Sequence, residues 1–193
     1  MARAAEEIDR RRFTVAEYHR MAESGILQPD ERVELFRGEV RRMSPKNRAH
    51  VVAATRLYQM LVRSLAGRAA VFKEDPLKLV QLDSEPEPDI VATSSPDIDA
   101  YGTEGAKPLL VVEIAASSLR YDLSAKADLY AEAGVPEYWV MNLVDRELVV
   151  FDSADGGVYR RRATHRAGDR VAPRAWPDVI LEVTELFPAD EHP

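Results

Sequence analysis

A chain of 193 residues with 46% hydrophobic side chains is long enough to bury a core and reads as one globular domain. It contains no cysteine, which excludes disulfides, thiolate zinc sites, iron–sulfur clusters and cysteine nucleophiles. A formal net charge of -7 argues against gripping nucleic acid with the whole surface, though not against a local basic groove.

The opening MARAAEEIDRRRF has charges but no apolar stretch behind them, so neither a signal peptide nor a membrane anchor is expected and the cytoplasm is the default. Residues 1–13 are expected to form a flexible arm, 14–187 a single domain and 188–193 a tail. Thr14 followed by Glu17 is a capping box, so TVAEYHRMAESG predicts a helix that stops near Gly25. RVELFRGEVRRM alternates around Arg37-Gly38 as a β-hairpin should. After the breaker SPKN, a long core helix is predicted to present Val51, Ala54, Tyr58, Leu61, Val62 and Leu65 on one face and to stop at Gly67.

Strands are then predicted at AAVFKED, LKLVQ, EPDIVAT and PLLVVEIAA, followed by a helix over YDLSAKADLYAEAG. EYWVMN and RELVVFD predict two more strands. The basic YRRRATHRAGDR reads as a connection to a last strand, DVILEV. The order implies an α/β (α+β) fold, a mixed central sheet flanked by helices, with an N-terminal helix and hairpin.

Glu113 breaks an otherwise apolar strand, and an unpaired buried carboxylate is costly. It needs a cation beside it, an open sheet end or a proton. Asp89 follows Pro88 at the start of another strand; were the two strands antiparallel neighbours, Asp89 and Glu113 would meet at one rim. Lys126, about one turn into the following helix, could reach the same rim. It is one of five lysines in a chain that otherwise uses arginine, and a lysine ammonium is a compact charge whose pKa can be tuned for proton transfer. Two carboxylates and a lysine suit Mg²⁺-dependent phosphodiester hydrolysis, with Mn²⁺ as an alternative ion. From spacing alone the structural alternative outweighs this: a turn aspartate, a paired glutamate and a solvated lysine recur by chance.

EPDIVA, VVEIAASSLRYD, the lysine, LYAEAGVPEYWVMNL and RELVVF, with VELFRGEVRRMSP and His50 upstream, resemble the Uma-type restriction endonuclease-like family of the PD-(D/E)xK nuclease superfamily. The resemblance runs from about Thr14 to Phe187. It implies a restriction endonuclease-like fold, a metal-dependent DNA endonuclease activity, Asp89 and Glu113 as metal ligands and the backbone carbonyl of Ile114 facing the ion. The superfamily's lysine stands two residues after the acid, where this chain has Ala115, so Lys126 is its expected migrated replacement. Glu34, Glu39, His50 and Tyr130 are accessory candidates; for Glu34, Glu39 and Tyr130 an ordinary surface or packing role weighs more, and for His50 it weighs at least equally.

Ser117 and Ser118 have no base placed to activate them, Trp139 reads as a core or dimer residue, and His165 and His192 lack zinc-ligand spacing. Basic clusters at 10–12, 41–42 and 160–162 could line a groove if they converge, though each singly reads as a solvated face. Three functions remain: a DNA endonuclease, with a homodimer expected for double-strand cleavage; an inactive nuclease-fold module binding nucleic acid or protein; or hydrolysis of another phosphate ester. No organic cofactor and no membrane partner are expected.

Overall fold

The computed structural model describes residues 10–189; most of the expected arm, the end of the expected tail and His192 lie outside them. The chain forms two compact units, one comprising the residues up to Met43 together with Lys78–Pro86, the other Ser44–Leu77 together with Glu87 onward. None of the described helices is long and apolar enough to cross a membrane.

In the first unit, helix α1 (Val15–Glu23) starts at the expected capping box, with Thr14 accepting from the Glu17 amide and the Glu17 side chain accepting from the Thr14 amide. Strands β1 (Val33–Phe36) and β2 (Glu39–Arg42) pair antiparallel across Arg37-Gly38. Both turn residues have left-handed φ, 49° and 76°, as a two-residue hairpin turn requires. A Cβ on Gly38 would lie 2.5 Å from that of Arg12, so space as well as φ selects glycine there. The strand expected at LKLVQ is absent. Val80–Leu82 form a 3₁₀ turn instead, which closes through left-handed Asp83 and Ser84, whose hydroxyl accepts from the Arg37 amide and donates to the Leu82 carbonyl. Local turn bonding thus overrides a short apolar alternation.

The second unit holds a six-stranded mixed sheet in the order β3-β4-β5-β6-β7-β8, with β3 (Val71–Phe72), β4 (Ile90–Thr93), β5 (Pro108–Ala115), β6 (Glu137–Asn142), β7 (Glu147–Asp155) and β8 (Val158–His165). All neighbours are antiparallel except β5 and β6. Helix α2 (Arg48–Ser64) covers one face. Its Ala53, Ala54, Leu57 and Leu61 pack with Ile90, Leu110, Val112, Ile114, Trp139 and Met141. Val51 and Val62, expected on that face, are exposed, because the buried stripe is centred on Leu57 and leaves them at its flanks. Trp139 is fully buried, as a core residue should be.

The parallel β5–β6 pair needs a crossover, which α3 (Leu119–Tyr121), a π-helical turn (Asp122–Lys126) and α4 (Ala127–Glu132) supply across the other face. Residues of β5 alternate faces, so Val111 and Glu113 point away from the α2 core and toward this crossover. AAVFKED shrinks to the two residues of β3, and DVILEV to the short β10 (Leu181–Glu182), since its partner β9 (Arg170–Val171) is equally short; helix α5 (Val183–Leu186) follows. The basic segment read as a connection is strand β8. An edge strand with one exposed face tolerates its charges, and Arg161 and Arg162 stand opposite Asp152 and Phe151 of β7.

Candidate active site

The ladder between β4 and β5 ends at Ile90 opposite Val112, so the next residues along, Asp89 and Glu113, stand at the same end of these two strands. Pro88 has no N–H with which to extend the pairing. The Asp89 side chain supplies the next link instead, its Oδ2 accepting the amide N–H of Ile114 at 2.7 Å. Each acid is then met from a different face of the sheet.

On the crossover side, Glu113 Oε1 accepts from Lys126 Nζ at 2.8 Å and from the Tyr130 hydroxyl at 2.9 Å. Both side-chain hydrogen bonds of Glu113 among the described residues therefore fall on one oxygen. Lys126 and Tyr130 are four residues apart on one helical stripe, which is why both reach the same carboxylate. Asp122, also buried, lies 4.0 Å from the Lys126 ammonium, and its carbonyl accepts from the Tyr138 hydroxyl. Burial pushes the Glu113 carboxyl well above the usual range; Lys126 opposes this, while Asp122 and Asp89 push it further up.

On the α2 side, His50 Nε2 lies 3.1 Å from Asp89 Oδ2, and Asn47 caps the helix by accepting from the His50 amide. Lys46 Nζ lies 3.4 Å from Asp89 Oδ1 and 2.9 Å from Glu74 Oε2. Burial would raise the Asp89 carboxyl, but the His50 hydrogen bond and charge, the Ile114 amide and Lys46 outweigh it and hold it below the ordinary value.

Glu34 and Glu39 lie on the hairpin of the first unit. Glu34 is buried there, and Glu39 pairs with Arg41 at 2.8 Å and with Arg12 at 3.7 Å. Arg11 and Arg42 pair with Glu17 and Glu31, and on β8 Arg160 and Arg161 pair with Asp155 and Asp152 while Arg162 lies over the Phe151 ring. Most members of the three basic clusters thus have partners within their own unit.

Residues 15–184 match the sequence profile of Uma2, described as "Putative restriction endonuclease". The chain belongs to the Uma2 family. A solved structure, "a putative nuclease belonging to DUF820 from Anabaena variabilis ATCC 29413", shares the fold with a TM-score of 0.73 at 13% identity, over 91% of this chain and 97% of that one. No curated protein matches it.

Within this Uma2 chain Asp89 and Glu113, two of the residues singled out in the sequence, lie at one end of the β4–β5 ladder with the Ile114 amide between them, and the third, Lys126, reaches Glu113 from the crossover. Sequence reasoning missed Lys46, Glu74 and the burial of Asp122. A signal was present: of 26 basic residues only five are lysines, and Lys46, Lys73 and Lys126 all pair with carboxylates of this cluster. No group of three or more acidic or histidine side chains that could hold a metal ion occurs among the described residues. The donor set that the resemblance implies is two carboxylates and a backbone carbonyl, and Glu113 Oε2 and Asp89 Oδ1 make no hydrogen bond among the described residues. That set suits Mg²⁺, which takes few protein oxygens and completes its shell with water and phosphate.

Proposed function

We propose that this chain is a divalent-metal-dependent nuclease hydrolysing phosphodiester bonds in DNA, with Asp89, Glu113 and Lys126 as its catalytic residues. The observation that supports this most is Glu113: a carboxylate within an eight-residue strand, held on one oxygen by Lys126 and Tyr130, beside an aspartate bonded to the next residue. Asp89, Glu113 and the Ile114 carbonyl would hold Mg²⁺ or Mn²⁺. When bound, such an ion neutralises phosphate charge and makes water a better nucleophile.

Hydrolysis joins a water oxygen to phosphorus while the bond to the leaving sugar oxygen breaks, and negative charge grows on the oxygens around phosphorus. Lys126, anchored on Glu113, supplies a cation beside that charge and orients the attacking water. Tyr130 keeps Glu113 in one rotamer by holding the same oxygen. His50 orients Asp89 through Oδ2 and leaves Oδ1 to the ion. A homodimer would present two such sites to two strands, and the cytoplasm is the compartment this reading implies.

A specific observation favours a second reading, an inactive nuclease-fold module: both carboxylates already have cationic partners within the chain, so Glu113 with Lys126 could be a structural ion pair. Plasmid nicking with Mg²⁺ or Mn²⁺ separates the two. In the nuclease reading, Glu113→Gln and Asp89→Asn abolish cleavage, and Lys126→Met loses rate while retaining metal binding. Gln keeps the volume and hydrogen bonding of Glu113, so the fold should lose no more than about 1 kcal/mol. Loss of about 3–5 kcal/mol in Glu113→Gln, with no cleavage by the parent protein, would instead assign Glu113 to a buried structural pair.

A further inference from the structure

Lys46 belongs to no part of the nuclease pattern, yet its ammonium faces the oxygen of Asp89 that accepts no hydrogen bond among the described residues. Oδ2 is occupied by the Ile114 amide and by His50, whereas Oδ1 faces the Lys46 ammonium at 3.4 Å. We propose that Lys46 is a resident cation on Asp89 that a divalent ion must displace, so that this lysine sets the metal affinity of the site. The inference rests on reading Asp89 as a metal ligand.

Three features carry it. The Lys46 side chain is only 14% exposed, and at 3.4 Å from Asp89 Oδ1 its ammonium makes no hydrogen bond to that oxygen, so it meets Asp89 by charge alone. Such a contact has no directional bond to break when a competing cation arrives. Second, the ammonium has another seat: Glu74 Oε2 lies closer, at 2.9 Å. Third, Glu74 is held in place beside the site. Its backbone adopts left-handed φ of 62°, a costly conformation for a residue with a Cβ, its amide donates to the Asp89 carbonyl at 3.2 Å, and its other carboxylate oxygen lies 3.2 Å from Lys73. A divalent ion and an ammonium cannot share Oδ1 without strong repulsion. Lys46 would therefore give up its longer contact with Asp89 to a divalent ion and keep the shorter one with Glu74, remaining beside the site as a positive charge.

The competing explanation is that Lys46 only neutralises two acids. That role lowers stability when lost and assigns Lys46 no part in metal binding. The deciding measurement is calorimetric titration of DNA-free protein with MnCl₂. Lys46→Met is expected to bind Mn²⁺ about tenfold more tightly than the parent, and Mn²⁺ to raise its Tm by more. Equal or weaker Mn²⁺ binding by Lys46→Met overturns the proposal, as does absence of Mn²⁺ binding in both proteins. If Lys46→Met does not fold, Glu74→Gln decides: losing the alternative seat should weaken Mn²⁺ binding, and equal or tighter binding overturns the idea. Plasmid nicking by the parent protein is scored separately. Tighter Mn²⁺ binding without nicking leaves this inference standing and removes the nuclease reading; nicking with unchanged affinity does the reverse.

Discussion

Asp89 and Glu113 sit side by side but respond to protons in opposite senses. The Asp89 carboxyl is held below its ordinary 3.8, so it contributes stability that is present above that value and is lost as pH falls from there through its folded pKa. Glu113 is raised above 4.5, so the folded state binds its proton more tightly than the unfolded chain does; stability is greatest below 4.5 and falls as pH rises toward its folded pKa. Thermal unfolding of metal-free protein is therefore expected to show Tm rising out of strong acid and then declining. Asp89→Asn should flatten the acid limb, and Glu113→Gln should flatten the decline. A decline that survives in Glu113→Gln would belong to another group; Glu137, raised by its own burial, is the first to test. Both acids could be named from the sequence, but the causes of their shifts could not, since Lys46, His50 and Asp122 reach them only through space.

At the scale of elements, the crossover explains how Lys126, thirteen residues beyond Glu113, reaches its carboxylate. Leu119–Glu132 does not run as one regular helix; the π turn at Asp122–Lys126 interrupts it and delivers Lys126 and Tyr130 to the same carboxylate. Strand β8 differs in kind. In the sequence its arginines could line a nucleic-acid groove only by converging with the other basic clusters, and singly they read as a solvated face; in the structure Arg160 and Arg161 pair with aspartates and Arg162 covers Phe151. Changing Arg160, Arg161 and Arg162 together to alanine is expected to alter the slope of log affinity for DNA against log salt by less than about one phosphate contact, that is, by under about 0.9. Fluorescence anisotropy across a salt series measures this. A slope reduced by two or three contacts would make β8 a DNA-binding edge.

Across the whole described chain, stability should rest on the α2 face of the sheet. Leu57→Ala is expected to cost about 2–5 kcal/mol because its side chain is fully buried among the sheet residues, whereas Val51→Ala, on the exposed flank of the same helix, should stay within about 0.5 kcal/mol. Urea unfolding of the two variants checks the burial directly; equal costs would place the stripe wrongly. Periodicity indicates the helix, and the apolar runs indicate β4, β5, β6 and β7, because repeating local patterns report which residues must face a core. The Thr14 capping box and the Arg37-Gly38 turn are legible for the same reason, their bonds being local. Strand β8 and the turn at Val80–Leu82 are not, because an edge strand needs apolar residues on one face only and a turn is selected by hydrogen bonds to residues such as Arg37. The candidate site divides in the same way. Glu113 is conspicuous in the sequence because burying a carboxylate is costly, while its surroundings follow only from the packing of elements far apart in the chain: the crossover that brings Lys126 and Tyr130, the helix start that brings Lys46 and His50, and the end of the ladder where Asp89 replaces a missing strand bond.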